Sequence, residues 1–236
     1  MKQLATVILG NVIIFLFLSC QSVDMARRYP NMIANMDPFS VGSVEVQFDR
    51  FLSRRVNRVV VETVFHPRLN SVSLEFKYEL LTYRQFWDEA ARKQFAASLE
   101  LYKRDFEDSK LIDNYRKTRA VYGNTRGRLE WETTKYTKTR VSNPTIDIGY
   151  RFRENTPFFT TLMRSAREIM GEGDSAPPVD SQAINMYFTR AQASDLVEIF
   201  DQARLVELIG KKTTPATDEP AATESPPYRE YREYGE

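Results

Sequence analysis

The chain has 236 residues, enough for one domain of ordinary size. Its hydrophobic fraction of 42% and charged fraction of 28% are typical of folded proteins, which excludes a chain disordered throughout. Lysine and arginine number 33 against 32 acids, so the net charge of +1 excludes global electrostatic attraction to nucleic acid. Cys20 is the only cysteine and His66 the only histidine, which excludes an internal disulfide and a Cys/His zinc site.

The N-terminus has the pattern of an export signal. A positively charged start is followed by an uncharged, mostly apolar run of 16 residues, Leu4–Ser19. A transmembrane helix needs about 20 such residues, whereas this length suits the apolar region of a signal peptide. The run ends in Phe17, Leu18, Ser19 and Cys20.

This ending resembles the lipobox of bacterial lipoproteins, in which a small residue precedes an invariant cysteine. Ser19 and Cys20 match the pattern, whereas Phe17 and Leu18 depart from its strict form. The resemblance covers only about the first twenty residues. It implies cleavage before Cys20 and attachment of diacylglycerol to its thiol, usually with an acyl chain such as palmitate on the amino group. Two alternatives stay open, an uncleaved membrane helix and an ordinary cleaved signal that leaves a free thiol.

Strand patterns follow a segment with little periodicity. Residues 20–43 contain two prolines and several Asn and Met, and we interpret them as a tether. Alternating apolar residues then predict strands at 44–48, 58–66 and 72–80. The last two flank a turn-like Pro67–Asn70, so we expect a hairpin with one buried and one wet face.

A long amphipathic helix is predicted next. Thr82 and Gln85 fit a capping box. Apolar residues recur at helical spacing from Tyr83 to Phe106, with charged residues on the opposite face. The pattern predicts a helix of about 26 residues, roughly 39 Å long.

The second half of the chain repeats this order of elements. A strand pair is predicted at 126–138 and 144–153, followed by a helix that starts at Thr156–Pro157 and ends at Gly171. A further strand at 184–188 leads into a last helix, 196–209, with Ser194 as its cap. Three strands that each run into a capped helix suggest a structural repeat.

The predicted fold class is α+β, an antiparallel sheet of about six or seven strands with a long amphipathic helix and two shorter helices packed on one face. The domain organisation is a lipoprotein signal peptide at 1–19, the tether at 20–43, a single α+β domain at 44–210 and a tail at 211–236. Four prolines and the absence of apolar periodicity predict that the tail is disordered.

Motifs for catalysis are sparse. A triad that relies on histidine has only His66, at a predicted strand end before Pro67, where a structural role is the simpler interpretation. Glu130 and Glu132 flank Trp131 on one strand face, and paired acids beside an aromatic ring are what a glycan hydrolase requires. A wet strand face opposite Leu129, Trp131 and Thr133 fits the alternation better. We expect no enzyme activity, no cofactor and no metal site.

A basic segment is the most specific surface feature. From Asp113 to Arg140 there are eight basic residues and three acids, with aromatic residues interleaved. Such a surface suits acidic polysaccharide or lipid headgroups, while a solvated hairpin face is the alternative. We call it the basic patch, and its members are Arg116, Lys117, Arg119, Arg126, Arg128, Trp131, Lys135, Lys138 and Arg140.

The function expected from these features is a non-enzymatic binding or structural role in the bacterial cell envelope. Acyl chains on Cys20 would hold the protein at a membrane, in the periplasm or at the cell surface. Partners would be another envelope protein or an acidic polysaccharide, with no nucleic acid. Two alternatives stay open, a carrier or sensor of a lipid or small apolar ligand, and an envelope glycan hydrolase that uses Glu130 and Glu132.

Overall fold

Over the residues that the structure describes, the fold is a ten-stranded antiparallel sheet with three short helices. The computed structural model describes residues 28–49, 56–78, 80–113, 120–133, 139–170 and 177–213. The sheet order is β5-β8-β9-β10-β1-β2-β3-β4-β6-β7, and the sheet curls into a half-barrel. The strands are β1 Phe39–Asp49, β2 Val56–His66, β3 Ser71–Tyr78, β4 Leu81–Asp88, β5 Ala120–Arg126, β6 Arg128–Thr133, β7 Arg140–Ser142, β8 Thr145–Arg153, β9 Thr156–Met163 and β10 Ile184–Phe188. The helices are α1 Glu89–Glu107, α2 Arg190–Phe200 and α3 Gln202–Thr213.

A long hairpin joins the two sides of this sheet. Only Gly127 separates β5 from β6, and only Asn143 and Pro144 separate β7 from β8. The pairing keeps one register across these breaks, because the Gly127 amide donates to the Pro144 carbonyl at 3.1 Å. On their other edges β6 pairs with β4 and β8 pairs with β9. The hairpin therefore brings the first and last strands of the order together.

Aromatic side chains fill the interior of the curled sheet. Phe95 of α1 is fully buried, and its ring contacts Trp87, Phe159, Phe188 and Phe200 at centroid distances of 5.2–5.9 Å. All four contacts are edge-to-face, with interplanar angles of 79–88°. Such aromatic pairs stabilise a core by about 0.5–1.5 kcal/mol each beyond the burial of their area. The helix α1 is therefore held against β4, β9, β10 and α2 through one residue.

The predicted fold class is wrong in its balance of sheet and helix. The strands predicted at 44–48 and 58–66 are present, and the one predicted at 72–80 is present as far as Tyr78. The described residues nevertheless form ten strands, and they contain no helix of 26 residues. The error begins at Leu81–Asp88, which forms β4 and pairs with β3 and β6. Its aromatic residues fit helical spacing, yet they also favour strands, and pairing on both edges decides the outcome.

The predicted N-cap of this helix is also wrong. Asp88 caps the helix instead of Thr82, because its Oδ1 accepts a hydrogen bond from the Ala91 amide at 2.8 Å. The helix then runs for 19 residues to Glu107. Trp87, which the sequence placed on the helix, is the last inward-facing residue of β4.

The helix predicted from Thr156 to Gly171 is also absent over the described residues of that range, 156–170. Thr156–Met163 is strand β9, and it forms a hairpin with β8. The two turn residues, Glu154 and Asn155, have φ angles of 48° and 65°, the left-handed geometry of a tight hairpin turn. Because one of the three strand-to-helix units is a hairpin, the suggested structural repeat is not present.

The last predicted helix is divided into two. Thr189, rather than Ser194, caps α2 in a capping box with Gln192. The backbone is extended at Asp201, whose carboxylate accepts from the Arg204 amide at 2.7 Å and so starts α3. Helix α3 continues past Gly210 to Thr213. Among the described residues, none of the helices has the length and hydropathy needed to cross a membrane.

Candidate functional site

Several residues singled out by the sequence lie outside the described part of the chain. These include Cys20 with its leader, and the tail from residue 214 onward. Five members of the basic patch also lie outside it, namely Arg116, Lys117, Arg119, Lys135 and Lys138.

The described members of the basic patch do not form one free cationic surface. Arg128 pairs with Glu130 at 2.7 Å, and Arg140 pairs with the buried Glu168 at 2.5 Å. Arg126 is exposed on β5. Trp131 is 5% exposed and faces the core, so in this conformation its ring is not available to stack on an external ligand.

A charged cleft lies on the outer face of β3, β4 and β6. Antiparallel pairing sets Glu75, Arg84 and Glu130 in one row across the three strands, and Thr82 beside Glu132 in the next. The cleft has a volume of about 200 Å³. Its lining residues are Glu75, Thr82, Tyr83, Arg84, Glu130, Trp131, Glu132 and Thr139.

Arg84 is the centre of the charged cleft. Its guanidinium donates to Glu75 at 2.8 Å and to Glu130 at 3.0 Å, so one cation joins two carboxylates. Burial lowers the pKa of Arg84, but the charges and hydrogen bonds of the two glutamates outweigh burial and raise it above its ordinary value. The other Glu130 oxygen accepts from Arg128 at 2.9 Å.

This arrangement bears on the hydrolase alternative. Glu130 and Glu132 do share one face of β6, as the alternation predicted. However, both oxygens of Glu130 are engaged by arginines, and its side chain is only 14% exposed. A proton donor must reach the leaving oxygen of its substrate, and Glu130 is not presented in that way.

His66 takes part in a buried polar contact beside the charged cleft. Its Nε2 lies 2.8 Å from the hydroxyl of Ser73, whose Oγ also donates to Glu75 at 3.0 Å. In a Ser-His-acid triad the acid orients the histidine, whereas here Glu75 contacts the serine. Ser73 has no exposed surface, so a substrate cannot reach its hydroxyl. Burial lowers the pKa of His66, although Glu75 opposes that effect.

A second polar network lies on the outer face of β1, β10 and β8. Tyr187 donates to Asp49 at 2.5 Å and accepts from Asn185 at 2.6 Å and from Arg151 at 3.1 Å. Asp49 also accepts from Asn185 at 2.8 Å and from Arg153 at 2.8 Å. Because the donors and acceptors of Tyr187 are all used, this network stabilises the sheet rather than offering a free functional group.

Polar side chains also occur inside the curled sheet. They were not predicted from the sequence. Gln85 and Ser142 have no exposed surface and point to the same face as the core residue Leu129. Within the described part of the chain, neither amide atom of Gln85 nor the Ser142 hydroxyl has a hydrogen-bond partner. The signal for Gln85 was its alternation with Tyr83 and Trp87, which is visible only once β4 is assigned as a strand.

In the part of the chain that the structure describes, no group of three or more His, Asp or Glu side chains is arranged to hold a metal ion.

Comparison with known proteins relates the chain to a family without assigning an activity. The sequence profile of a family described as "Uncharacterised Treponema protein" matches residues 38–207. This range runs from the residue before β1 into α3 and so covers the whole described sheet. Neither a curated protein nor a solved structure matches the chain.

Proposed function

We propose that this chain, which belongs to the family of uncharacterised Treponema proteins, is a lipid-anchored, non-enzymatic binding protein of the bacterial envelope. The observation that carries the anchor is the leader that ends in Ser19 and Cys20. Treponema is a bacterial genus, in keeping with a bacterial export signal. Two or three acyl chains anchor a protein stably, whereas one chain gives marginal binding.

The charged cleft supports a binding role for the body. Its row of Glu75, Arg84 and Glu130 fixes alternating charges on paired strands, which act as rigid supports. The exposed Glu132 adds a further carboxylate, so the cleft has more acids than arginines. Electrostatic complementarity then favours another envelope protein with a basic or polar segment over an acidic polysaccharide.

Metabolic labelling tests the anchor. Cells that express the wild-type chain or Cys20→Ala are given radiolabelled palmitate, and the protein is isolated and counted. We expect label on the wild type and none on Cys20→Ala, with equal amounts of both proteins. Equal label on the two proteins would contradict the lipid anchor at Cys20.

Site-specific photocrosslinking tests the binding surface in cells. The crosslinker is placed at Thr82 in the charged cleft, with exposed Asp195 on α2, which does not line the cleft, as the matched control. We expect a discrete adduct with an envelope protein from position 82 only, and its loss when Glu132→Lys reverses the charge. An adduct of equal yield at both positions, or none at position 82, would contradict a partner site in this cleft.

A second candidate function is a carrier or sensor of a small amphipathic ligand. The observation in its favour is the unpartnered polar atoms of Gln85 and Ser142 inside the curled sheet. Mass spectrometry of the purified protein under native conditions tests it. Retained lipid supports a carrier, and a mass equal to that of the protein alone contradicts it.

A further inference from the structure

The interior of the curled sheet contains buried polar atoms that none of the described residues satisfies. A buried donor or acceptor that loses water without gaining a partner destabilises the folded state. Such atoms in native proteins are usually satisfied by ordered water or by a ligand. The interior atoms in the described part of the chain are Gln85 Nε2, Gln85 Oε1, Trp87 Nε1 and Ser142 Oγ, whereas Ser71 Oγ and Asn185 Oδ1 lie on the outer face.

Two of these side chains lie in one row of the sheet. Gln85 of β4 pairs with Leu129 of β6, and Leu129 pairs with Ser142 of β7. All three residues have no exposed surface and face the interior. Neighbouring strands are about 4.8 Å apart, so the Gln85 and Ser142 backbones are about 10 Å apart. Their side chains reduce that gap, and one oxygen with two hydrogen bonds of about 2.8 Å spans about 5.6 Å.

The residues around Gln85 and Ser142 determine whether a group bound between them can carry a charge. Leu74 and Leu129 flank Gln85 on the neighbouring strands, and neither offers a polar atom. Among the described residues, Arg140 lies one row away on β7, where Glu168 engages it at 2.5 Å. Arg92 lies near Trp87, where its guanidinium is engaged by the carbonyls of Asn70, Trp87 and Phe200. An ionised ligand group would therefore be buried without a countercharge, which is strongly unfavourable. A neutral group is required.

The Gln85 and Ser142 side chains also determine which hydrogen bonds the bound group must make. The Gln85 amide offers donors and an acceptor, and the Ser142 hydroxyl can do either. A hydroxyl group donates one hydrogen bond and accepts two, so it can bond one amide atom of Gln85 and the Ser142 hydroxyl at once. We propose that Gln85 and Ser142 bind one neutral hydroxyl group inside the curled sheet, supplied by a water molecule or by the alcohol end of an amphipathic ligand.

A double-mutant cycle tests this internal site. The urea midpoint is measured for the wild type, Gln85→Leu, Ser142→Ala and the double variant. With a shared hydroxyl, each single change lowers the midpoint, and the double variant is no less stable than Gln85→Leu, because one ligand is lost only once. If the row holds nothing, Gln85→Leu removes two orphaned atoms, the midpoint rises and the effects add. That result would overturn the proposal.

A matched control separates sharing from general damage to the core. Thr63 is also fully buried, but its hydroxyl donates to the Gly42 carbonyl at 2.7 Å. Thr63→Val combined with Gln85→Leu should give additive midpoint changes, because the two residues share no partner. Coupling as strong as that of the Gln85 and Ser142 pair would show a general effect and overturn the specific site.

The source of the hydroxyl is distinguished with 1-decanol as the probe. Thermal unfolding of the wild type and Gln85→Leu is followed with and without the alcohol. If decanol raises the thermal midpoint of the wild type alone, the hydroxyl comes from an amphipathic alcohol. If decanol has no effect but the Gln85 and Ser142 changes are non-additive, the hydroxyl comes from water. The site is independent of the lipid anchor, so the palmitate experiment and the cycle can fail separately.

Discussion

The guanidinium of Arg92 holds Asn70 at two points. Nη1 donates to the Asn70 carbonyl at 3.0 Å, and Nη2 donates to its side-chain oxygen at 3.2 Å. The same side chain donates to the carbonyls of Trp87 at 3.0 Å and Phe200 at 3.2 Å and to the Gln202 side chain. Arg92 is only 2% exposed. Through these hydrogen bonds it joins the β2–β3 turn, the end of β4 and the junction of α2 and α3.

Replacement of Arg92 should strongly destabilise the protein. Arg92→Met leaves several buried oxygens unpaired, so we expect the free energy of unfolding to fall by at least about 3 kcal/mol. Lys93→Met is the matched control, because Lys93 is exposed and makes a surface ion pair with Glu89, worth less than about 0.5 kcal/mol. Urea denaturation measures both. Similar losses for the two variants would show that Arg92 does not have this role.

Two glycines should respond to alanine in opposite directions. A Cβ on Gly149 would lie 1.9 Å from the carbonyl oxygen of Ala120, where β5 has an irregular register. Gly149→Ala should therefore cost about 2 kcal/mol or more. A Cβ on Gly210 in α3 meets nothing within 4 Å, so Gly210→Ala should stabilise by about 0.5–1 kcal/mol. Thermal unfolding of both variants checks the signs, and a stable Gly149→Ala protein would refute the close strand approach.

The sequence predicted local features well where one periodicity dominated. The alternation from Val72 to Tyr78 identified β3, and Glu130 and Glu132 were correctly placed on one strand face. The residues from Tyr83 to Trp87 satisfy both strand and helix spacing, so only the pairing of β4 with β3 and β6 resolves them.

The charged cleft and the counterions of the basic patch depend on distant residues. Arg84 contacts Glu130, 46 positions away, and Arg140 contacts Glu168, 28 positions away. No spacing rule along the chain relates the two residues of either pair. The strand order brings Arg84 next to Glu130, and the fold around β7 brings Arg140 next to Glu168. For the same reason, local charge counting predicted a basic patch but not the acids that neutralise part of it.

Acid should destabilise the protein through His66. Burial lowers its pKa below the ordinary value of 6.5, so the unfolded chain binds a proton at a higher pH than the folded one. The stability that neutral His66 contributes is complete above about pH 6.5 and is lost as pH falls through the folded pKa. Because His66 is the only histidine, the difference between wild type and His66→Gln in urea midpoint from pH 7.5 to 5 isolates it. A constant difference across that range would contradict the lowered pKa.

Alkali should destabilise the protein through Tyr187. Burial, together with the hydrogen bond and charge of Asp49, raises its pKa from 10 to about 12. The unfolded phenol ionises first, so its stabilising contribution is complete below pH 10 and is lost as pH rises to about 12. Tyr187→Phe should reduce the loss of unfolding free energy between pH 9.5 and 12 by on the order of 2 kcal/mol. An identical slope in wild type and variant would argue against a protected phenol.

The central proposal is the lipid anchor, and the mass of the mature N-terminal peptide tests it most directly. The protein is extracted from cells with detergent, digested, and its first peptide is identified by mass spectrometry. The account predicts a peptide that begins at Cys20 and carries the added mass of diacylglycerol, with or without a further acyl chain. A peptide that retains residues 1–19, or one with an unmodified Cys20, would contradict it.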